Sequence, residues 1–257
     1  MNLEPRTTVS TILQKVPEAT LVFWIIKIFG TTVGETAADF LSFDLSFGLV
    51  NTLIGMSLIL VMALAFQFRS NRYEPWKYWL SVVLISVVGT LATDALVDIL
   101  GVSLVATTVF FSGALIATFV TWYAIERTLS IHSIVTKRRE IFYWAAILFT
   151  FALGTASGDL VSEELHLGYV ISTLVFAGGI AMIAGAYYVL HQNPVTCFWT
   201  AYIMTRPLGA SVGDWLTQAP SDGGLGVPAL GATSIDLLII LVLVAVLSFR
   251  QRRDRLT

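Results

Sequence analysis

Long apolar runs alternate along this chain with short polar or glycine-rich breaks. Eight runs stand out, at Thr20 to Phe43, Phe47 to Phe68, Trp76 to Leu100, Ser103 to Ile125, Ile141 to Ser162, Leu167 to Leu190, Val195 to Leu216 and Gly231 to Phe249. A hydrocarbon core about 30 Å thick is crossed by roughly 20 apolar helical residues, and each run is about that long. The pattern predicts an all-α integral membrane bundle of eight transmembrane helices, built as one membrane domain over residues 1–257.

The polar positions repeat as well. Trp24, Trp79, Trp144 and Trp199 are each followed ten residues later by a glycine, at Gly34, Gly89, Gly154 and Gly209. Five residues further on stands an aspartate each time: Asp39, Asp94, Asp159 and Asp214. The motif W-x9-G-x4-D thus occurs four times, once in each odd-numbered run. An aromatic precedes every tryptophan, as Phe23, Tyr78, Tyr143 and Phe198. Thirteen residues after the aspartate come Thr52, Thr107 and Ser172, and Thr233 fits if the fourth repeat carries an insertion around Ser221 to Gly224. The tryptophans are 55, 65 and 55 residues apart, which suggests that a two-repeat unit was itself duplicated. The repeats are expected at 15–70, 71–128, 138–191 and 194–250.

In its four tandem repeats of two transmembrane segments with a shared tryptophan, the chain resembles a bacterial membrane family defined by the repeat of unknown function numbered 347. The resemblance extends from about Lys15 to Phe249. It implies the topology and a bacterial source, and it brings no activity with it.

Two spans per repeat make every repeat enter the membrane in the same sense. Parallel repeats are related by an axis along the membrane normal, so the four aspartates are expected at similar depth around one centre. At about 100° per residue, with the tryptophan at zero, the aspartate falls near +60° and the glycine near −80°. Glu35, Thr90 and Thr155 share a position near +20°, Lys27 lies near −60°, and Arg206 with its equivalents Thr31 and Ser86 near −20°. One face of each odd helix is therefore polar. Odd helices are expected to line the centre and even helices to face lipid, with the glycine allowing close approach of neighbouring backbones. A rise of 1.5 Å per residue puts the aspartate about 22 Å beyond the tryptophan. The tryptophans are expected as interfacial anchors or packing elements.

Charge gives the orientation. Asp44, Glu163, Glu164 and Asp222 occupy the links after the odd spans, which hold no lysine or arginine. Thirteen of the fifteen basic residues fall on the other side, in the segment with Arg6 and Lys15, in the links around Arg69, Arg72 and Lys77 and from Arg127 to Arg139, and in the tail from Arg250 to Arg255. The positive-inside rule makes that side cytoplasmic, with both termini inside, and the expected location is a bacterial inner membrane. The basic tail is read as orienting and lipid-binding, with no nucleic-acid role. Hydrophobic residues make up 56% of the chain and charged residues 12%, well outside the soluble range. No signal peptide is expected, because Glu4, Arg6, Lys15 and Glu18 with Pro5 and Pro17 precede the first span without an apolar run and cleavage site. The single Cys197 excludes a disulfide within the chain and a thiolate metal cluster.

The candidate site follows from ionisable residues inside spans, which are costly and by default functional. The expected substrate- or ion-binding set is Asp39, Asp94, Asp159, Asp214, Glu35, Lys27 and Arg206, with the four aspartates as metal ligands. A structural role is the alternative for the aspartates, and a fixed counter-charge for Lys27 and Arg206. Pro207 is expected to kink its helix and to break it beside Arg206. Asp236 is deep enough to need a partner, and Asp98 is interfacial. His132, His166 and His191 all fall in links, so a bound metal would meet oxygen ligands, which favours Mg²⁺, Ca²⁺ or Mn²⁺. No resident cofactor is expected. Neither a phosphate loop nor a hydrolase constellation is present, and the chain is not read as an enzyme. Gly158-Asp159, Gly213-Asp214 and Pro228-Ala229-Leu230 are similar to intramembrane aspartyl protease signatures. However, Ser211 replaces a required glycine, and the repeat already accounts for the Gly-Asp pairs.

The leading expectation is a secondary transporter or channel-like carrier of a small cation, most plausibly a divalent metal ion. The alternatives are a proton-coupled transporter of a small organic solute and a non-transporting membrane scaffold or sensor. Since Lys27 and Glu35 occur only in the first repeat and Arg206 only in the fourth, substrate is expected off-axis, near those two.

Overall fold

The computed structural model describes residues 14–253; Arg6 and Arg255, with Glu4 and Pro5, lie outside them. Among the described residues there is no strand, and eight long helices follow one another: α1 Leu21–Asp39, α2 Leu49–Arg69, α3 Pro75–Asp94, α4 Leu104–Glu126, α5 Lys137–Asp159, α6 Gly168–Tyr188, α7 Pro194–Thr217 and α8 Ala229–Arg253. Seven are long and apolar enough to cross a membrane, which makes this a multi-pass membrane protein. The remaining one, α7, has the length, at 24 residues, but is diluted by Arg206, Pro207, Asp214 and several threonines. It runs through Pro207 without interruption, so the expected break beside Arg206 does not occur.

The odd helices form a closed inner ring, α1 against α3 and α7, and α5 against α3 and α7. Each even helix packs on the first helix of the next repeat: α2 on α3, α4 on α5, α6 on α7, and α8 back on α1. Burial follows the same division. The most apolar stretches of α1, α3 and α5 are 61–67% buried, against 17–28% for the even helices. The expectation of odd helices inside and even helices outside therefore holds for these elements.

Two sets of ring contacts explain why the motif needs its tryptophan and glycine. Near the start of the odd helices, the aromatic preceding each tryptophan packs on the next repeat's tryptophan: Phe23 on Trp79, Tyr78 on Trp144, Tyr143 on Trp199, and Phe198 on Trp24, with centroids 5.4, 5.5, 6.0 and 5.7 Å apart. Trp79, Trp144 and Trp199 are buried, so they act as packing elements more than as interfacial anchors. One layer further along, each shared glycine lies against the residue seven past the next tryptophan. Gly34 faces Ser86, Gly89 faces Phe151, Gly154 faces Arg206 and Gly209 faces Thr31, each so closely that a Cβ would collide. Threonine hydroxyls add bonds across the ring, Thr31 to the Thr205 carbonyl at 3.2 Å and Thr93 to the Ala152 carbonyl at 3.0 Å.

The two ends of the ring differ. The basic end is sealed by the segment entering α1. Tyr73 N–H donates to the Gln14 carbonyl at 2.8 Å and Lys15 N–H to the Ile134 carbonyl at 3.0 Å. The Lys15 ammonium pairs with buried Glu140 at 2.6 Å, and the Gln67 amide donates to the other oxygen of that carboxylate at 3.2 Å. Tyr78 and Tyr143 share a hydroxyl hydrogen bond just inside. At the acidic end, α1, α3 and α5 each pass into a five-residue π-helical turn, at Phe40–Asp44, Ala95–Ile99 and Leu160–Glu164. Seven residues after each aspartate, Ser46, Gly101 and His166 adopt positive φ and turn the chain toward the even helix.

Candidate functional site

Each of the first three motif aspartates is the last residue before its π turn, so α1, α3 and α5 widen where the carboxylates project. Such bulges favour functional positions. The fourth repeat differs: α7 continues to Thr217, and the inserted residues fold back on it through Leu225 N–H to the Trp215 carbonyl and Val227 N–H to the Leu216 carbonyl, both at 2.8 Å.

Asp39, Asp94, Asp159, Asp214 and Glu35 all line one cavity of about 170 Å³ at the acidic end. Each repeat contributes its aspartate. Asp98, Glu163 and Gln218 also line it, and Phe43, Val97 and Leu104 supply apolar wall. Asp214 is buried, the other three motif aspartates are partly buried, and Asp98 and Glu163 are exposed at the rim. The five ion pairs found among the described residues use Glu35, Glu74, Glu126 and Glu140, and none of them uses a motif aspartate. Likewise, among the described residues no group of three Asp, Glu, His or Cys converges closely enough to hold a metal ion. The four carboxylates surround a space instead of meeting at a point.

Arg206 does not line this cavity but is bonded to Glu35, which does. Fully buried, its guanidinium donates to Glu35 Oε2 at 2.8 Å, to Thr155 Oγ1 at 2.6 Å, to the Thr31 carbonyl at 3.3 Å and to Thr90 Oγ1. One arginine from the fourth repeat is thereby tied to each of the other three. Glu35, Thr90 and Thr155 occupy the same repeat position, eleven past the tryptophan, so the arrangement fills one polar layer across the ring. Glu35 both holds Arg206 and faces the cavity.

Lys27 is not part of the cavity. It lies deeper toward the basic end, fully buried, with its ammonium 4.1 Å from the Phe151 ring centroid and 4.2 Å from that of Tyr202. Its Nζ has no hydrogen-bond partner among the described residues. A cation held between ring faces is attracted by their quadrupoles. Lys27 and Tyr202 stand at the same repeat position, three past the tryptophan, which is a signal the spacing carried. Asp236 on α8 is buried with Oδ2 unpartnered, and it lies outside the cavity.

The sequence profile of a family described as Repeat of Unknown Function (DUF347) matches residues 22–73, 77–128, 142–193 and 197–253. Four tandem matches coincide with the four two-helix units around this ring. No curated protein and no solved structure matches the chain.

Proposed function

We propose that this chain, which belongs to the family described as Repeat of Unknown Function (DUF347), is a secondary transporter or channel-like carrier of a small cation, most plausibly a divalent metal ion. The observation that carries this reading is one cavity lined by an aspartate from every repeat and by Glu35. Four carboxylates around a common space repel one another when charged, and a cation between them relieves that repulsion. Their wide separation fits an ion that keeps part of its water shell, as Mg²⁺ and Mn²⁺ readily do, with the hydroxyls of Thr90 and Thr155 one layer further in.

In this reading α7 is the eighth span, its polar residues tolerated because they face the ring centre. The four repeats are then related by an axis along the membrane normal, the cavity opens on the outer side of a bacterial inner membrane, and both termini are cytoplasmic. Arg206 acts as the inner gate. A cation arriving in the cavity competes with the guanidinium for Glu35, and loss of that bond loosens a side chain that is tied to all three other repeats. Lys27 is another buried basic side chain and limits passage of the cation along the axis.

One observation favours a second reading, a proton-coupled transporter of a small organic solute: among the described residues, no three carboxylates converge on a metal-sized point. In that case the aspartates carry protons and Arg206 binds an anionic group of the solute. Whole-cell elemental analysis of cells lacking or overproducing the protein, repeated with Asp39→Asn and Asp214→Asn, decides between them. Altered content of one divalent metal, reversed by both variants, supports the metal reading. Unchanged content of every divalent metal, with Arg206→Gln abolishing movement of an organic anion, transfers the assignment to the second.

A further inference from the structure

A larger cavity than the acidic one lies elsewhere. About 490 Å³ in volume, it lies in the outer groove between α1, α6 and α7 toward the basic end, walled by Trp24, Ile28, Ile180, Ala184, Phe198 and Ala201. Outer helices α4 and α2 fill the corresponding grooves with a buried side chain. Fifteen residues past Thr107, Trp122 of α4 is fully buried and packs on Phe142 of α5 and Trp199 of α7. Fifteen past Thr52, Gln67 of α2 is fully buried against Glu140. The matching residue of α6, fifteen past Ser172, is Tyr187, and it is 42% exposed and lines the cavity rim. Trp24 is consequently the one motif tryptophan that is not buried.

Polarity is graded along this cavity. Its deep wall is aliphatic and aromatic, while Ser130 and His132 of the α4–α5 link stand at the basic end. Arg127 of that link and Lys137 at the start of α5 are exposed and form no ion pair among the described residues, whereas Arg138 and Arg139 are both held by Glu126. Around the opening, Leu21, Tyr188, Val189 and Leu190 are 65–75% exposed, an apolar outer surface continuous with the faces that meet lipid. An apolar slot entered from the lipid side, with Ser130 and His132 at its polar end and the exposed Arg127 three residues before Ser130, matches an amphiphile with an anionic head.

We propose that this groove binds one anionic phospholipid, with an acyl chain between α1, α6 and α7 and its phosphate beside Ser130, His132 and Arg127. The bound chain replaces the side chain that fills the corresponding groove elsewhere and completes the wall around Trp24. This site is independent of the cation cavity and stands whichever substrate the protein carries.

The single Cys197, which is partly exposed, lines the cavity and reports on it directly. The test uses the full chain, delipidated in detergent, with phosphatidylglycerol or phosphatidylcholine added back. Native mass spectrometry is expected to show one retained phosphatidylglycerol, and its addition is expected to slow alkylation of Cys197 by N-ethylmaleimide, with phosphatidylcholine doing neither. Ala201→Trp, or Ala184→Leu should the first fail to fold, is expected to abolish both effects, and Arg127→Gln to weaken retention by about fivefold. Equal protection by the two lipids, or alkylation indifferent to both, overturns the proposal. So does a dimer that disappears in Ala184→Leu while no lipid is retained, which would give the groove to a second copy.

Discussion

The guanidinium of Arg206 and the carboxylate of Glu35 meet at 2.8 Å in the centre of the ring, both buried, one contributed by the last repeat and one by the first. Their helices, α7 and α1, are the two that close the circle. Removing one member of a buried pair strands the other charge, at a cost of about 3–5 kcal/mol, more than the pair itself contributes. Arg206→Gln and Glu35→Gln are each expected to lower the melting temperature of the purified protein markedly. The double variant is expected to melt above either single one. Thermal unfolding followed by tryptophan fluorescence checks this, and a double variant no more stable than the worse single variant contradicts it.

Lys27 presents the opposite balance. Buried between Phe151 and Tyr202 without a hydrogen-bond partner among the described residues, it keeps only cation–π attraction against the cost of leaving water. Lys27→Met retains the length of the side chain and removes the amine. The variant is expected to be more stable by about 1–3 kcal/mol and to be impaired in transport, the usual sign of a destabilising group kept for function. A variant that melts below the parent protein would mean that Lys27 serves the fold.

The repeat's contribution to the fold was readable because every copy keeps the same residue at the same helical phase. The W-x9-G-x4-D spacing placed the odd helices inside and foretold the close approach at Gly34, Gly89, Gly154 and Gly209. It also set the aspartates on one face, and they do line a single cavity. Thr90 and Thr155 were recognisable as sharing the position of Glu35, but nothing in one sequence announces that an arginine from the fourth repeat reaches all three. Such contacts join residues 51 to 171 positions apart and depend on how the ring closes. The π turns after Asp39, Asp94 and Asp159 leave no composition signal, since the residues there are as apolar as those of an ordinary helix end. The break expected at Pro207 is absent: α7 continues through it, packed on α1, α5 and α6. Lys15, counted among the orienting charges, is also bonded to Glu140, a partner 125 residues away that the sequence does not reveal.

The glycine layer makes a prediction that needs no assay of transport. A Cβ at Gly209 would collide with the Thr31 side chain and one at Gly89 with Phe151 and the Ala152 backbone, whereas Gly55, Gly113 and Gly178 on the outer helices face open space. Gly89→Ala and Gly209→Ala are expected to destabilise the ring by about 1–3 kcal/mol each through overpacking. Gly55→Ala and Gly178→Ala are expected to be neutral or slightly stabilising, since alanine is the better helix former. Accumulation in the membrane and monodispersity after extraction, compared across the four variants, separate the two groups. Equal behaviour would show that the ring does not depend on glycine contact.

The aspartates decide between a working site and a structural one. None is held in an ion pair among the described residues, so changing a single carboxylate to the neutral amide of similar shape strands no buried partner. Asp39→Asn, Asp94→Asn, Asp159→Asn and Asp214→Asn are therefore expected to reach the membrane at parental levels. Each removes one unit charge from the wall of a shared cavity, and an electrostatic loss of about 1–3 kcal/mol predicts cation affinity weakened roughly tenfold to a hundredfold. Asp98→Asn and Glu163→Gln, exposed at the rim where solvent screens them, are expected to change affinity by about twofold or less. Uptake of Mn²⁺ into proteoliposomes as a function of concentration measures both series. If the four motif variants keep the parental affinity, or if they fail to accumulate, the carboxylates belong to the scaffold and the transport reading is withdrawn.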